Sequence, residues 1–273
     1  STRAGAAADR ASAVARLRRF AESVSPAGYI VGRARAAGVR AAVRGLGATA
    51  EWLALGRPDR VHWRGGDLRE ERGRYRFRAF YRGRFVVEAR LRVPGRRGVL
   101  GALAAVAVGV RLGVPTAAIK EGLEEFAGLS RTLECRGRFR GATLVDDAAQ
   151  DPAAVAEALA CCRRVYGRRR LRAVVWTNWV PAGPAGWGVL AGALAPADVV
   201  LLVAGPAGPD HPLVRALKAR GVPASQAPDL DAAVEALDRH LQPGDVLVSL
   251  GADDVGKVAE AFLRRLPRDH HGR

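Results

Sequence analysis

The chain has 273 residues, with 44 Lys and Arg against 27 Asp and Glu and a formal net charge of +17; that length accommodates two domains with separate cores, since domains commonly run about 100 to 200 residues. A hydrophobic share of 49% with dense Gly and Pro punctuation suits a soluble globular protein, and no apolar run approaches the roughly 20 residues of a membrane helix, which excludes a membrane-spanning role. The cations are almost all Arg, with Lys only at Lys120, Lys218 and Lys257, and they are spread among Ala, Gly and Val, so weak, salt-sensitive and sequence-independent contact with nucleic acid is expected.

In chain order, a helix is predicted over Ala7 to Val24, followed by short apolar pieces at Tyr29 to Gly32, Val39 to Val43 and Arg60 to Trp63. Two alternating strands, Arg74 to Tyr81 and Arg84 to Val93, turn at Arg82-Gly83 as a hairpin. Helices over Val99 to Leu112 and Thr116 to Phe126 join at Gly113-Val114-Pro115, and the domain boundary falls near Gly128 to Leu133. Beyond it, apolar strands at Ala142 to Val145, Leu171 to Trp176, Asp198 to Ala204 and Asp245 to Leu250 alternate with helices. Those helices are Pro152 to Tyr166, Ala185 to Leu194, His211 to Arg220, Leu230 to Leu241 and Asp254 to Leu266. This is the rhythm of a parallel sheet of about five or six strands covered on both faces. The expected fold class is α/β, with a parallel sheet over residues 131–273 and a separate α/β domain over residues 1–130.

Isolated residues carry little chemistry of their own. Cys135, Cys161 and Cys162 are odd in number and two are adjacent, which is no disulfide framework. His62, His211, His240, His270 and His271 show no metal spacing. No Ser-His-Asp or Cys-His arrangement stands out, so no catalytic residue and no metal ligand is assigned. Asp146 and Asp147 are adjacent on a strand and face opposite sides, which argues against one shared acid/base site. Trp176 and Trp179 read as core or rim packing at a sheet edge. The stretch Ser1 to Phe20 lacks a continuous apolar run, so no secretory signal is expected and the cytoplasm is the expected location.

Several segments match one family in order. Val93-Pro94-Gly95-Arg96-Arg97-Gly98-Val99-Leu100-Gly101-Ala102-Leu103-Ala104-Ala105 resembles P-G-x-H-N-x-x-N-A-x-A-A, with Arg97 at the His and Gly98 and Gly101 at the two Asn. Gly128-Leu129-Ser130-Arg131-Thr132-Leu133-Glu134 resembles G-x-x-R-R-F-E, keeping Arg131 of the arginine pair. Val145-Asp146-Asp147-Ala148-Ala149-Gln150-Asp151-Pro152 is similar to D-D-Y-A-H-H-P, keeping both Asp, an Ala and the Pro. Trp176 to Gly183 stands where Q-P-H-x-x-x-R-T is expected, without its His or Arg, and Gly251-Ala252-Asp253-Asp254-Val255 is similar to G-A-G-D-I. On these motifs the chain resembles the Mur ligases over roughly Phe20 to Leu266, and within them the L-alanine-adding branch.

The resemblance implies a Rossmann-like C-terminal domain over residues 131–273, preceded by the remainder of a Mur ligase central domain over residues 1–130. It also implies ATP with Mg²⁺, a carboxylate activated as an acyl phosphate and attack by an amine. By resemblance, Arg131 belongs near the terminal phosphate and Asp146 or Asp147 at the ribose or nucleotide. The family's phosphate loop is not among the matched segments. Gly251 to Val258 approaches G-x-x-x-x-G-K-[ST], but Val258 cannot ligate Mg²⁺ and Asp253 and Asp254 would repel an anion. The expectation is therefore a catalytically silent homologue with a binding, scaffolding or regulatory role linked to peptidoglycan precursors. It would bind nucleotide weakly at best, need no cofactor of its own, and act with a protein partner or a second copy. Two alternatives stay open: a ligase completed by an upstream segment or a partner chain, and a basic interaction module.

Overall fold

The computed structural model describes residues 3–56, 61–176, 184–203, 211–251 and 256–265, and the chain divides into two units, Ser1–Ala127 and Gly128–Arg273.

In the first unit the order is α1 (Arg3–Glu22), β1 (Tyr29–Arg33), α2 (Ala37–Val43), β2 (Thr49–Leu55), β3 (Trp63–Glu71), β4 (Arg74–Tyr81), β5 (Arg84–Pro94), α3 (Arg96–Arg111) and α4 (Thr116–Glu125). One sheet runs β1-β2-β3-β4-β5, parallel through β3 and antiparallel from β3 to β5. Alternation along β4 buries Tyr75, Phe77 and Ala79 against Val99, Leu103 and Val106 of α3, and turns Arg74, Arg76 and Arg78 outward. The strand-to-strand turns are two-residue loops of the I′ kind, which demand positive φ at both positions. Arg72-Gly73 (φ 50° and 76°) and Arg82-Gly83 (φ 45° and 82°) supply it.

The second unit contains β6 (Glu134–Phe139), β7 (Ala142–Asp147), α5 (Pro152–Tyr166), β8 (Leu171–Trp176), α6 (Pro184–Leu194), β9 (Val199–Val203), α7 (Pro212–Lys218), β10 (Ala224–Ala227), α8 (Leu230–His240), β11 (Val246–Leu250) and α9 (Lys257–Arg264). Its sheet has the order β10-β9-β8-β11-β7-β6. Apolar side chains point both ways from it. Val145, Ala173, Val200 and Val248 pack with α5, α6 and α7 on one face, while Leu144, Val174, Leu201 and Leu247 pack with α8 and α9 on the other. Such double coverage is the reason these strands are continuous apolar runs.

One strand departs from the expected all-parallel sheet. β6 pairs antiparallel with β7, because Arg140-Gly141 (φ 46° and 83°) closes another two-residue turn. A parallel neighbour would need a crossover of a dozen or more residues. Trp176 packs half-buried at the end of β8, whereas Trp179, His270 and His271 lie outside the described residues. Among the described residues no helix is long and apolar enough to cross a membrane.

Candidate functional site

β7 leads into α5 on one face of the sheet and β11 leads to α9 on the other, although the two strands are neighbours. The crevice outside their carboxyl ends is therefore a topological switch point, where open α/β sheets bind ligands. Asp146 and Asp147 end β7 there, Ser249 and Gly251 mark the end of β11, and the loop Ser130 to Leu133 crosses above them.

Arg131 and Asp146 are brought together. Arg131 Nε donates to Asp146 Oδ2 at 3.0 Å, Arg131 Nη2 donates to the Gly251 carbonyl at 2.7 Å, and Ser249 Oγ donates to Asp146 Oδ1 at 2.9 Å. Asp146 is only 2% exposed, so this carboxylate is almost wholly enclosed by its partners. Gly256 is fitted to the pair: a Cβ there would stand 3.0 Å from Asp146 Oδ2 and 3.2 Å from Arg131 Nε.

Asp147 faces a different set of groups, as alternation along a strand requires. Its Oδ2 accepts from the Leu133 amide and its Oδ1 from the Ala149 amide, each at 2.9 Å. The Arg131 carbonyl accepts from the Ala148 amide at 2.8 Å. These bonds hold Arg131 and Leu133 in the left-handed region (φ 57° and 48°), a conformation that costs non-glycine residues about 1 kcal/mol or more each.

Glu134 was not among the expected site residues. It accepts from the Arg131 amide at 2.7 Å and from Ser130 Oγ at 3.1 Å, and its other oxygen meets Arg136 at 3.2 Å. The Arg131 amide holds its carboxyl below the usual range against the opposing effect of burial, with Ser130 and Arg136 assisting. The G-x-x-R-x-x-E spacing was the available signal: a side chain three residues on can cap the loop amide.

The groups that the resemblance places at a nucleotide already have partners within the protein. Arg131 Nε and Nη2 are engaged within the protein, and each Asp147 oxygen already accepts a backbone amide. Val258, at the position where a phosphate loop needs a hydroxyl, is fully buried in the α9 core; Ala252 to Val255 lie outside the described residues. Arg97, Gly98 and Gly101 fall on the first turns of α3 in the other unit. Among the described residues no group of three or more His, Cys, Asp or Glu could hold a metal ion. Cys162 is buried on α5, and burial pushes its thiol well above the ordinary range, so it remains a neutral thiol and a poor nucleophile.

Residues 132–253 match the family model for the Mur ligase glutamate ligase domain. The chain is a Mur ligase homologue. The UDP-N-acetylmuramate–L-alanine ligase of Caldanaerobacter subterraneus subsp. tengcongensis is 29% identical to it over 256 residues, covering 90% of this chain and 55% of that protein. The enzyme of the same name from Desulfatibacillum aliphaticivorans is 31% identical over 222 residues, covering 78% of this chain and 48% of that one. The chain thus spans about half the length of the curated relatives it matches. The crystal structure of UDP-N-acetylmuramate-alanine ligase from Thermotoga maritima shares the fold with a TM-score of 0.71 at 21% identity, over 91% of this chain and 61% of that one. This Mur ligase homologue accordingly has the α/β fold that the motifs implied.

Proposed function

We propose that this Mur ligase homologue is catalytically silent and acts by binding, in a scaffolding or regulatory capacity linked to peptidoglycan precursors in the cytoplasm. Residues 1–130 then correspond to the remainder of the central ligase domain and residues 131–273 to its C-terminal domain. One observation carries this: the groups that the resemblance places at the nucleotide, Arg131, Asp146 and Asp147, are spent on one another, on Ser249 and on backbone groups. The replacements at Arg97, Gly98 and Gly101 point the same way. A second reading is favoured by the retention of all three groups at the switch point: an ATP-dependent amide ligase whose phosphate loop another segment or chain supplies.

Incubating the chain with UDP-N-acetylmuramate, L-alanine and MgATP distinguishes the two. No phosphate release above background is expected, because one missing preorganised electrostatic group commonly costs about 10² to 10³ in rate and several are replaced. Release that requires both substrates and disappears in Arg131→Ala would establish the second reading instead.

A further inference from the structure

Strands β3, β4 and β5 have two faces of opposite chemistry. Tyr75, Phe77, Ala79, Ala89 and Leu91 are buried toward the core. Outward, the pairing register sets Arg69, Arg76 and Arg90 side by side across the three strands, with Arg74 next along β4 and Arg92 next along β5. Arginines scattered through the sequence are thus gathered onto one surface by strand alternation. Like charges directly opposite one another destabilise a sheet. Acidic neighbours relieve only part of this: Glu88 meets Arg76 at 2.5 Å and Arg78 at 2.6 Å, and Glu71 meets Arg90 at 2.8 Å. Arg69, Arg74 and Arg92 are exposed and have no ion pair among the described residues. A groove of about 290 Å³ continues this surface toward α4, its cations outnumbering the Glu71, Glu88 and Glu124 that share the lining.

Aromatic rings share this face. At its hairpin end Arg64, Phe80 and Phe85 are aligned across the strands. The Arg64 guanidinium carbon lies 3.9 Å from the Phe80 ring centroid, in space left open by Gly66, where a Cβ would collide with Arg64 Nη1. Phe80 and Phe85 meet edge to face at 6.1 Å, and Phe85 is 58% exposed. Cations that track a phosphate backbone beside aromatic and guanidinium planes that stack bases are the two elements of sequence-tolerant single-strand binding.

We propose that the outer face of β3, β4 and β5 docks single-stranded nucleic acid. Its phosphates lie on Arg69, Arg74 and Arg92, and its bases stack on Phe85 and on the Arg64–Phe80 pair. An acidic peptide would match the charge and leave the ring faces unused. This surface lies in the first unit, so it stands or falls separately from the Arg131 site.

The test is fluorescence anisotropy of the full chain with a labelled oligouridylate of about 16 nucleotides, at the upper end of known site sizes for single-strand binding folds. Affinity is expected to fall with salt, and the slope of log K against log salt to shrink by about 0.7 for each arginine removed in Arg74→Ala/Arg92→Ala. Phe85→Ala is expected to weaken binding about tenfold with the slope unchanged. Arg215→Ala/Lys218→Ala on α7 removes the same charge elsewhere and is expected to leave affinity and slope as they are. All of these side chains are exposed, so the melting temperature checks that each variant is folded. Four outcomes would overturn the proposal: equal loss from the α7 variant, no loss from the β4/β5 variant, tighter binding to polyglutamate or to anionic vesicles, or preference for duplex.

Discussion

Asp245→Ala is expected to lower stability by about 3 to 5 kcal/mol, because it leaves a buried guanidinium without its counter-charge. Arg172 and Asp245 are 6% and 4% exposed, and Arg172 Nε donates to Asp245 Oδ2 at 2.6 Å. The rest of the pair is satisfied by backbone: Arg172 Nη2 donates to the His240 carbonyl at 2.7 Å, and the Gln242 amide donates to Asp245 Oδ2 at 3.1 Å. Together these bonds fix the turn between α8 and β11 to the neighbouring strand β8. For a domain of this size the loss corresponds to a fall of roughly 10 °C in melting temperature. Replacing both members, as Arg172→Met/Asp245→Leu, is expected to cost less than Asp245→Ala alone, since a buried pair is balanced against its own desolvation. Thermal unfolding followed by circular dichroism decides this, and an unshifted Asp245→Ala transition would refute it.

The second large effect lies in the other unit. Glu51 is 1% exposed, and three donors converge on its carboxylate: Trp63 Nε1 at 2.5 Å, Tyr81 Oη at 3.0 Å, and Arg111. They come from β3, β4 and α3, so one β2 side chain joins the sheet to its covering helix. Glu51→Ala orphans the indole and phenol donors and leaves Arg111 without its ion pair, for an expected loss of about 3 kcal/mol. Burial raises the Glu51 pKa, but the hydrogen bonds from Trp63, Arg111 and Tyr81 outweigh it and hold the group below its ordinary 4.5. The unfolded chain therefore binds this proton more readily than the native one. The stabilisation is complete above about pH 4.5 and disappears as pH falls through the lower native value. Urea unfolding between pH 3 and 7 is expected to show a shallower acid loss in Glu51→Gln than in the parent chain; parallel curves would show that Glu51 does not titrate in this way.

Much of the fold is legible in the residues themselves. The Arg-aromatic alternation of β4, the Arg82-Gly83 turn, and the apolar runs of β7, β8, β9 and β11 each declare their element. β2 is hidden in the sequence because Glu51 interrupts an otherwise apolar run, and a sequence does not show that the carboxylate is enclosed by Trp63 and Tyr81. β6 carries Arg136, Gly137 and Arg138 with a register shift between Cys135 and Gly137, which erases its period. β10 has 4 residues, too few for a pattern. The other Arg-Gly turns, at Arg72-Gly73 and Arg140-Gly141, repeat the signal recognised at Arg82-Gly83 and would have located β3 and β6. At the candidate site Arg131, Asp146 and Asp147 stand out through their motifs, whereas Ser249 is separated from Asp146 by 103 positions and no local pattern links them. The cationic face of β3, β4 and β5 was obscured likewise, since clustering across strands depends on register.

The most direct measurement is the melting temperature of the full chain with and without about 1 mM MgATP, because a ligand that binds only the native state stabilises it by RT ln(1 + [L]/Kd). A lone arginine and a carboxylate in a wet crevice contribute on the order of 1 kcal/mol each, against the roughly 8 kcal/mol of micromolar affinity. With Arg131, Asp146 and Asp147 occupied by internal partners, no shift is expected. A clear upward shift with MgATP that is absent in Arg131→Ala or Asp147→Ala would contradict this and establish a working nucleotide pocket.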